Sequence, residues 1–109
     1  MIVNKMEKIR TYKGFDKDLR CNGFQYEVGK DYEEENIKIC NRGFHACESP
    51  MEVWDHYDML DSRYCEVEQL GEIQREEKTT KVCSSKIKII AELKLSDIKY
   101  NNLSNLIKI

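Results

Sequence analysis

The sequence predicts an α+β fold, a mostly antiparallel sheet with about two helices packed on one face. Three observations carry that expectation. Several segments alternate apolar and polar residues with period two, the spacing of half-buried strands. Two segments carry helix-start signals. Few connections between the alternating segments are long enough for a helical crossover, which favours antiparallel pairing.

Residues 9–12 read as a short first strand. Phe24, Tyr26 and Val28 alternate with Gln25 and Glu27, and Gly29-Lys30 ends the run. Ile37 and Ile39 alternate with Lys38 and Cys40 before a turn at Asn41-Arg42-Gly43, and residues 44–47 read as another short strand. Ser49-Pro50-Met51-Glu52 has the form of a helix start, with Ser49 as cap, Pro50 at the first helical position and Glu52 where a capping box needs it. That helix is expected to run to Tyr57 and to bury Val53, Trp54 and Tyr57. Cys65 and Val67 alternate with Tyr64, Glu66 and Glu68, and Gly71 is expected to break the run before Ile73. Residues 76–81 read as a charged loop. In residues 86–95, Ile87, Ile89, Ala91, Leu93 and Leu95 share one face and charged residues the other, with Ile90 the exception. A second helix is expected from Ser96, with Asp97 near its positive end and Leu95 and Tyr100 as a hydrophobic staple. Its three asparagines weaken it, so it needs docking on the sheet to persist.

The 109 residues fit a single domain spanning 1–109, with residues 1–7 a loose lead-in. Hydrophobic residues make up 40% and charged residues 35%, with the two signs mixed, which is the composition of a folded chain. The net charge is −2, from 18 basic and 20 acidic residues, and no basic stripe is present; direct nucleic-acid binding is disfavoured. No apolar run is long enough for a transmembrane helix, and no signal peptide is visible. The five cysteines, at 21, 40, 47, 65 and 83, form no C-x-x-C pair, so no zinc site or other cofactor is expected. A cytoplasmic location with reduced thiols follows as the expectation.

Three groups of residues have chemistry to offer. His45, in Gly43-Phe44-His45-Ala46-Cys47, could serve as a base to Cys47 or Cys40. Glu66 and Glu68 form an E-x-E on a strand, so both point to one face and could share acid–base work. Asp31, Glu33, Glu34 and Glu35, with Glu72, Glu76 and Glu77, could present an acidic surface to a basic partner. Packed histidines and solvated acids are the commoner use of all these residues.

Tyr12-Lys13-Gly14, the Gly43-Phe44-His45 segment, a capped helix and the E-x-E superficially resemble the layout of small ADP-ribosyltransferase-like domains. Lys13 stands where such folds use arginine or histidine, and Ser84-Ser85 follows the E-x-E where it should precede it. A second resemblance runs through more of the chain. Tyr12-Lys13-Gly14-Phe15, Cys21-Asn22-Gly23-Phe24-Gln25-Tyr26-Glu27-Val28-Gly29-Lys30 and Cys40-Asn41-Arg42-Gly43-Phe44-His45-Ala46-Cys47 are its main phrases. Glu66-Val67-Glu68 and Ser85-Lys86-Ile87-Lys88-Ile89 complete it. Together, over residues 9–98, these resemble an uncharacterised domain family of bacteriophage and prophage proteins. In many of those the domain precedes a repetitive tail, and this chain reads as the domain alone.

That resemblance implies a phage origin but no reaction and no catalytic residue. The leading expectation is a non-enzymatic phage accessory protein binding a host protein, such as a nucleic-acid-handling defence enzyme, in the manner of an anti-CRISPR inhibitor. A small enzyme built on His45, Glu66 and Glu68, and a sponge for a nucleotide signal, are the alternatives. The oligomeric state is not readable from the sequence.

Overall fold

The computed structural model describes residues 8–39, 42–53 and 61–94. Its strands are β1 (Ile9–Phe15), β2 (Arg20–Cys21), β3 (Phe24–Gln25), β4 (Asp31–Glu33), β5 (Phe44–Cys47), β6 (Arg63–Arg75) and β7 (Lys81–Leu93). One helical turn, α1 (Pro50–Val53), lies between β5 and β6. All strand pairs are antiparallel.

The framework is the long β6–β7 hairpin, closed by the charged loop at 76–80. Along its outer edge β7 pairs first with β5 (Phe44↔Ser84 to Cys47↔Lys81) and then with β4 (Asp31↔Lys88 to Glu33↔Lys86). β6 pairs over seven residues with β1, from Ile9↔Gln69 to Phe15↔Arg63. β1 meets β5 at Tyr12↔Cys47, so β5, β1, β6 and β7 form a closed circuit of four strands, with β4 attached outside it. β2 and β3 form a separate two-residue ladder.

Two irregularities bend the hairpin tightly enough to close it. On β7, Ile90 is the extra residue, because Val67 pairs with Ile89 while Glu66 pairs with Ala91. One inserted residue exchanges the faces of a strand. Ile87 and Ile89 accordingly pack inside with Phe15 and Val67, while Leu93 packs outside with Tyr64, Cys47 and Val53. The break in alternation at Ile90 is therefore the mark of the bulge. On β6, the second irregularity falls between Leu70 and Ile73. Gly71 sits there at φ +82, and a Cβ would run into Ser85 Oγ. Gly71 thus carries the strand through a bend instead of ending it.

The inner core contains Phe15, Tyr26, Phe44, Val67, Ile87 and Ile89. Each such side chain contributes about 1.5–3 kcal/mol on full burial. A polar network crosses the same interior. Thr11 Oγ1 donates to Gln69 Oε1 at 2.6 Å, and Gln69 Nε2 donates to the carbonyls of Phe44 (2.9 Å) and Val82 (3.1 Å). Gln69 is fully buried, and its amide ties β1, β5 and β7 together.

The expected α+β architecture, with two helices packed on one face, is overturned. Among the described residues the fold is β, and α1 is a single turn. The physical reason is the closed circuit: the sheet covers its own apolar face, so it offers no open inner surface for a helical layer. The signal at Ser49-Pro50 does start a helix, yet Glu52 does not complete a capping box. Its carboxylate accepts from Thr80 N at 3.1 and 3.2 Å, and Ser49 N donates to Thr80 Oγ1 at 3.1 Å. The continuation to Tyr57 and the second helix from Ser96 lie outside the described residues.

Smaller corrections follow from turn chemistry. The expected strand over residues 24–28 reduces to β3, because Asn22 (φ 52) and Gly23 (φ 78) make a two-residue turn that pairs Cys21 with Phe24. Tyr26 then turns inward and Val28 is exposed. Residues 37–39 form no strand beyond the isolated Lys38↔Arg42 bridge.

Candidate functional site

On β1 the inward positions are Ile9, Thr11, Lys13 and Phe15. Alternation therefore carries a lysine into the interior, where it is only 4% exposed. Lys13 Nζ donates to the carbonyl of His45 at 2.7 Å. It also lies 5.7 Å and 5.8 Å from the ring centres of Phe15 and Tyr26, within range of cation–π attraction. Burial holds its pKa below the ordinary lysine value, opposed by the thiols of Cys21, Cys47 and Cys83. Among the described residues no carboxylate pairs with it.

Lys13 borders a concavity of about 700 Å³. The β5 segment from Phe44 to Cys47 forms one wall, and Asn22, Phe24 and Tyr26 bring the β2–β3 hairpin to another. Arg42, Glu33, Glu34 and Lys81 complete the border. Arg42 Nε donates to Glu34 Oε1 at 2.9 Å, and Lys81 Nζ lies 3.7 Å from Glu76 Oε2, so both cations have a nearby acid. Tyr26 is the centre of an aromatic cluster. Its ring stands 5.3 Å from Phe15, 4.8 Å from Phe24 and 5.0 Å from Tyr32, all edge to face. Burial pushes the Tyr26 phenol well above its usual value. Phe24 is the outlying member, 49% exposed.

The structure places His45 on this concavity, half-buried, with Nδ1 3.2 Å from the Gly43 carbonyl. Burial and then the charge of Lys13 hold its pKa below the usual histidine value. Cys47 is two residues along the same strand, and its side chain joins Val53 and Tyr64 beneath α1. Burial pushes the Cys47 thiol up to about 11. It is therefore protonated at neutral pH, the opposite of an activated nucleophile. Cys40 lies outside the described residues.

Glu66 and Glu68 do share a face of β6, as their spacing requires, but that face is the outer one. Arg10 Nη1 donates to Glu66 Oε1 at 2.8 Å. Glu68 borders a different hollow, with Lys86, Lys88, Asp31 and Glu33. His45 and the two glutamates are thus not brought together. The acidic residues divide as well. Asp31 and Glu33 stand on β4 directly opposite Lys88 and Lys86, and Glu34 pairs with Arg42. Glu35 and Glu77 are exposed, while Glu72 and Glu76 sit toward the far end of the hairpin. Among the described residues no group of three or more His, Cys, Asp or Glu could hold a metal ion, and no helix is long and apolar enough to cross a membrane.

Sequence reasoning did not single out Lys13, Phe24 and Tyr26 as binding residues. Lys13 had a signal, since it interrupts an otherwise uncharged inward row at 9, 11, 13 and 15. Phe24 had one in the Asn22-Gly23 pair before it, the two-residue hairpin turn.

Fold and site together define a small, curled antiparallel β domain with a buried amine at the edge of an aromatic-sided concavity. The chain belongs to the family described as a domain of unknown function (DUF7666), which matches residues 9–101. No curated protein and no solved structure matches it.

Proposed function

We propose that this chain is a non-enzymatic binding domain of the phage accessory kind, and that its binding site is the Lys13 concavity. The observation that carries the reading is Lys13 itself: a buried amine with no carboxylate partner, bordering an open hollow of about 700 Å³. A volume of that size suits a small ligand. A perturbed, buried titratable group at a cleft is a recurrent mark of a functional site. Phage origin is supported by the phrases around Gly23 and Gly43 quoted above.

Thermal shift of the full chain against a panel of charged and uncharged metabolites, nucleotides included, tests this. A ligand that binds only the folded state raises apparent stability by about 2.7 kcal/mol at a hundredfold excess over its Kd. The expected result is at least one stabilising ligand whose effect disappears in Lys13→Met. A flat panel at millimolar concentration would end the reading.

A host-protein-binding, anti-CRISPR-type role is the second reading, and exposed Phe24 and Val28 favour it as contact residues. It leads less well through the acids, because Lys88 and Lys86 offset Asp31 and Glu33. Affinity purification from the host separates the two. A stoichiometric partner lost on Phe24→Ala but kept in Lys13→Met supports the second, and a clean prey list from several hosts removes it.

A further inference from the structure

We infer that the concavity takes a small organic anion joined to a planar ring, with the anionic group on Lys13 Nζ and the ring against Phe24. A nucleoside monophosphate or an aromatic carboxylate presents that chemistry. The inference rests on the reading of the concavity as a ligand site.

The first observation is the charge balance around Lys13. Lys13 is buried, with 4% of the residue exposed. Its contacts are the His45 carbonyl oxygen at 2.7 Å and the ring faces of Phe15 and Tyr26, none of which is a carboxylate. Buried ions are expensive unless paired. An ammonium has three donors, and the His45 carbonyl accepts from one. A ligand anion supplies both a further acceptor and the missing counter-charge. The other border cations Arg42 and Lys81 have acids of their own, whereas among the described residues Lys13 has no carboxylate partner.

The second observation is Phe24. A large ring that is 49% exposed is held in place edge-on by Tyr26 at 4.8 Å and Tyr32 at 5.4 Å. The Asn22-Gly23 turn fixes the backbone beneath it. A ring held this way is pre-organised for a planar ligand and loses little freedom on binding.

Anion binding favours the charged form of Lys13. The groups facing the amine are Cys21 from β2, Tyr26 after β3, His45 and Cys47 from β5, and Cys83 from β7. Among the described residues none of these is a carboxylate, which leaves the main stabilisation of the charged amine to the ligand. Because Lys13 has a lowered pKa in the free protein and a restored one in the complex, affinity is greatest below the free value and falls as pH rises above it.

Isothermal titration of the full chain with adenosine 5′-monophosphate, benzoate, inorganic phosphate and adenosine reads this directly. Repeating the titrations over a range of pH reads the linkage to the amine. Adenosine monophosphate or benzoate is expected to bind, more tightly at low than at high pH, and adenosine about tenfold or more weaker than its monophosphate. Binding by the monophosphate alone assigns a nucleotide, and binding by benzoate alone a carboxylate. Lys13→Met is expected to remove the preference for anions. Phe24→Ala, a change at an exposed position, is expected to weaken the ring-bearing ligands and leave phosphate unchanged. Adenosine binding as tightly as its monophosphate, with Lys13→Met unchanged, overturns the anion assignment and leaves the concavity as a ligand site. Phosphate matching the monophosphate overturns the role of the ring. No binding by any charged or uncharged probe, here or in the thermal panel, overturns both readings.

Discussion

Lys13 is the residue whose environment departs furthest from its type. In an unfolded chain its amine titrates near 10.5, and burial lowers that value in the fold. The sign of the consequence is fixed by linkage. Below the folded value both states hold the proton and the whole burial penalty is present. Between the folded value and 10.5 the native state has lost its proton while the unfolded state keeps it, so stability rises with pH. The buried thiols act the other way. Cys47, pushed up to about 11, and Cys65, pushed up to about 12, stabilise fully below 9.0, and that contribution fades as pH climbs toward those values. The thiols are common to the protein and its Lys13→Met variant, so they cancel in the difference. Urea titrations from pH 6 to 10 are expected to show the native protein gaining on Lys13→Met as pH rises. A constant difference would mean that Lys13 is not protonated differently in the two states. Alternation along β1 made the inward placement of Lys13 legible. The absence of a carboxylate near it was not, since that depends on strands up to seventy residues away.

Among the elements, β6 and β7 show most plainly where local pattern suffices and where it fails. Alternation found part of each strand, at 64–68 in β6 and from 86 in β7, and the charged stretch expected at 76–81 contains their turn, while residues 81–85 of β7 were missed. What it could not weigh was the effect of single irregular residues. Gly71 reads as a strand breaker, because glycine lacks strand preference. In the fold it is a bend, and the strand continues for four residues to Arg75. Alanine there would combine a positive φ with a collision against Ser85. Gly71→Ala is expected to destabilise by about 2 kcal/mol or more, read as a lower urea midpoint with an unchanged slope. A change under 0.5 kcal/mol would show that the bend relaxes freely. The β2–β3 hairpin was missed for the converse reason. A run of three alternating apolar residues, Phe24, Tyr26 and Val28, looks like a strand, while the two-residue turn at Asn22-Gly23 takes only Phe24 and Gln25 into the ladder.

For the molecule as a whole, the sheet was foreseeable and its closure was not. Antiparallel pairing follows from short connections, but a circuit arises only when two bulges curl one hairpin far enough for β1 and β5 to meet. Among the described residues that closure leaves no open inner face for the expected helical layer. It gives the described residues an uneven stability. The ladders of β6 with β1 and β7 are long and lie over the main core, whereas β2–β3 is two residues long and largely exposed. Hydrogen exchange is expected to be slowest at Val67, Gln69 and Ile89 and fastest at Phe24 and Gln25. Equal protection of the small hairpin would mean that the domain opens only globally. The candidate site has the same origin: its wall is β5, its amine belongs to β1, and only the closed circuit sets them side by side.

The join between β1 and β5 is a single residue pair, Tyr12↔Cys47, whereas β1 and β6 share seven. A bracelet fastened at one link has its opening place chosen in advance. Lys13 holds the neighbouring His45 carbonyl, so the amine is also the pin of the clasp. Whatever draws that amine aside slackens the fastening, and whatever seats it more firmly locks the ring shut.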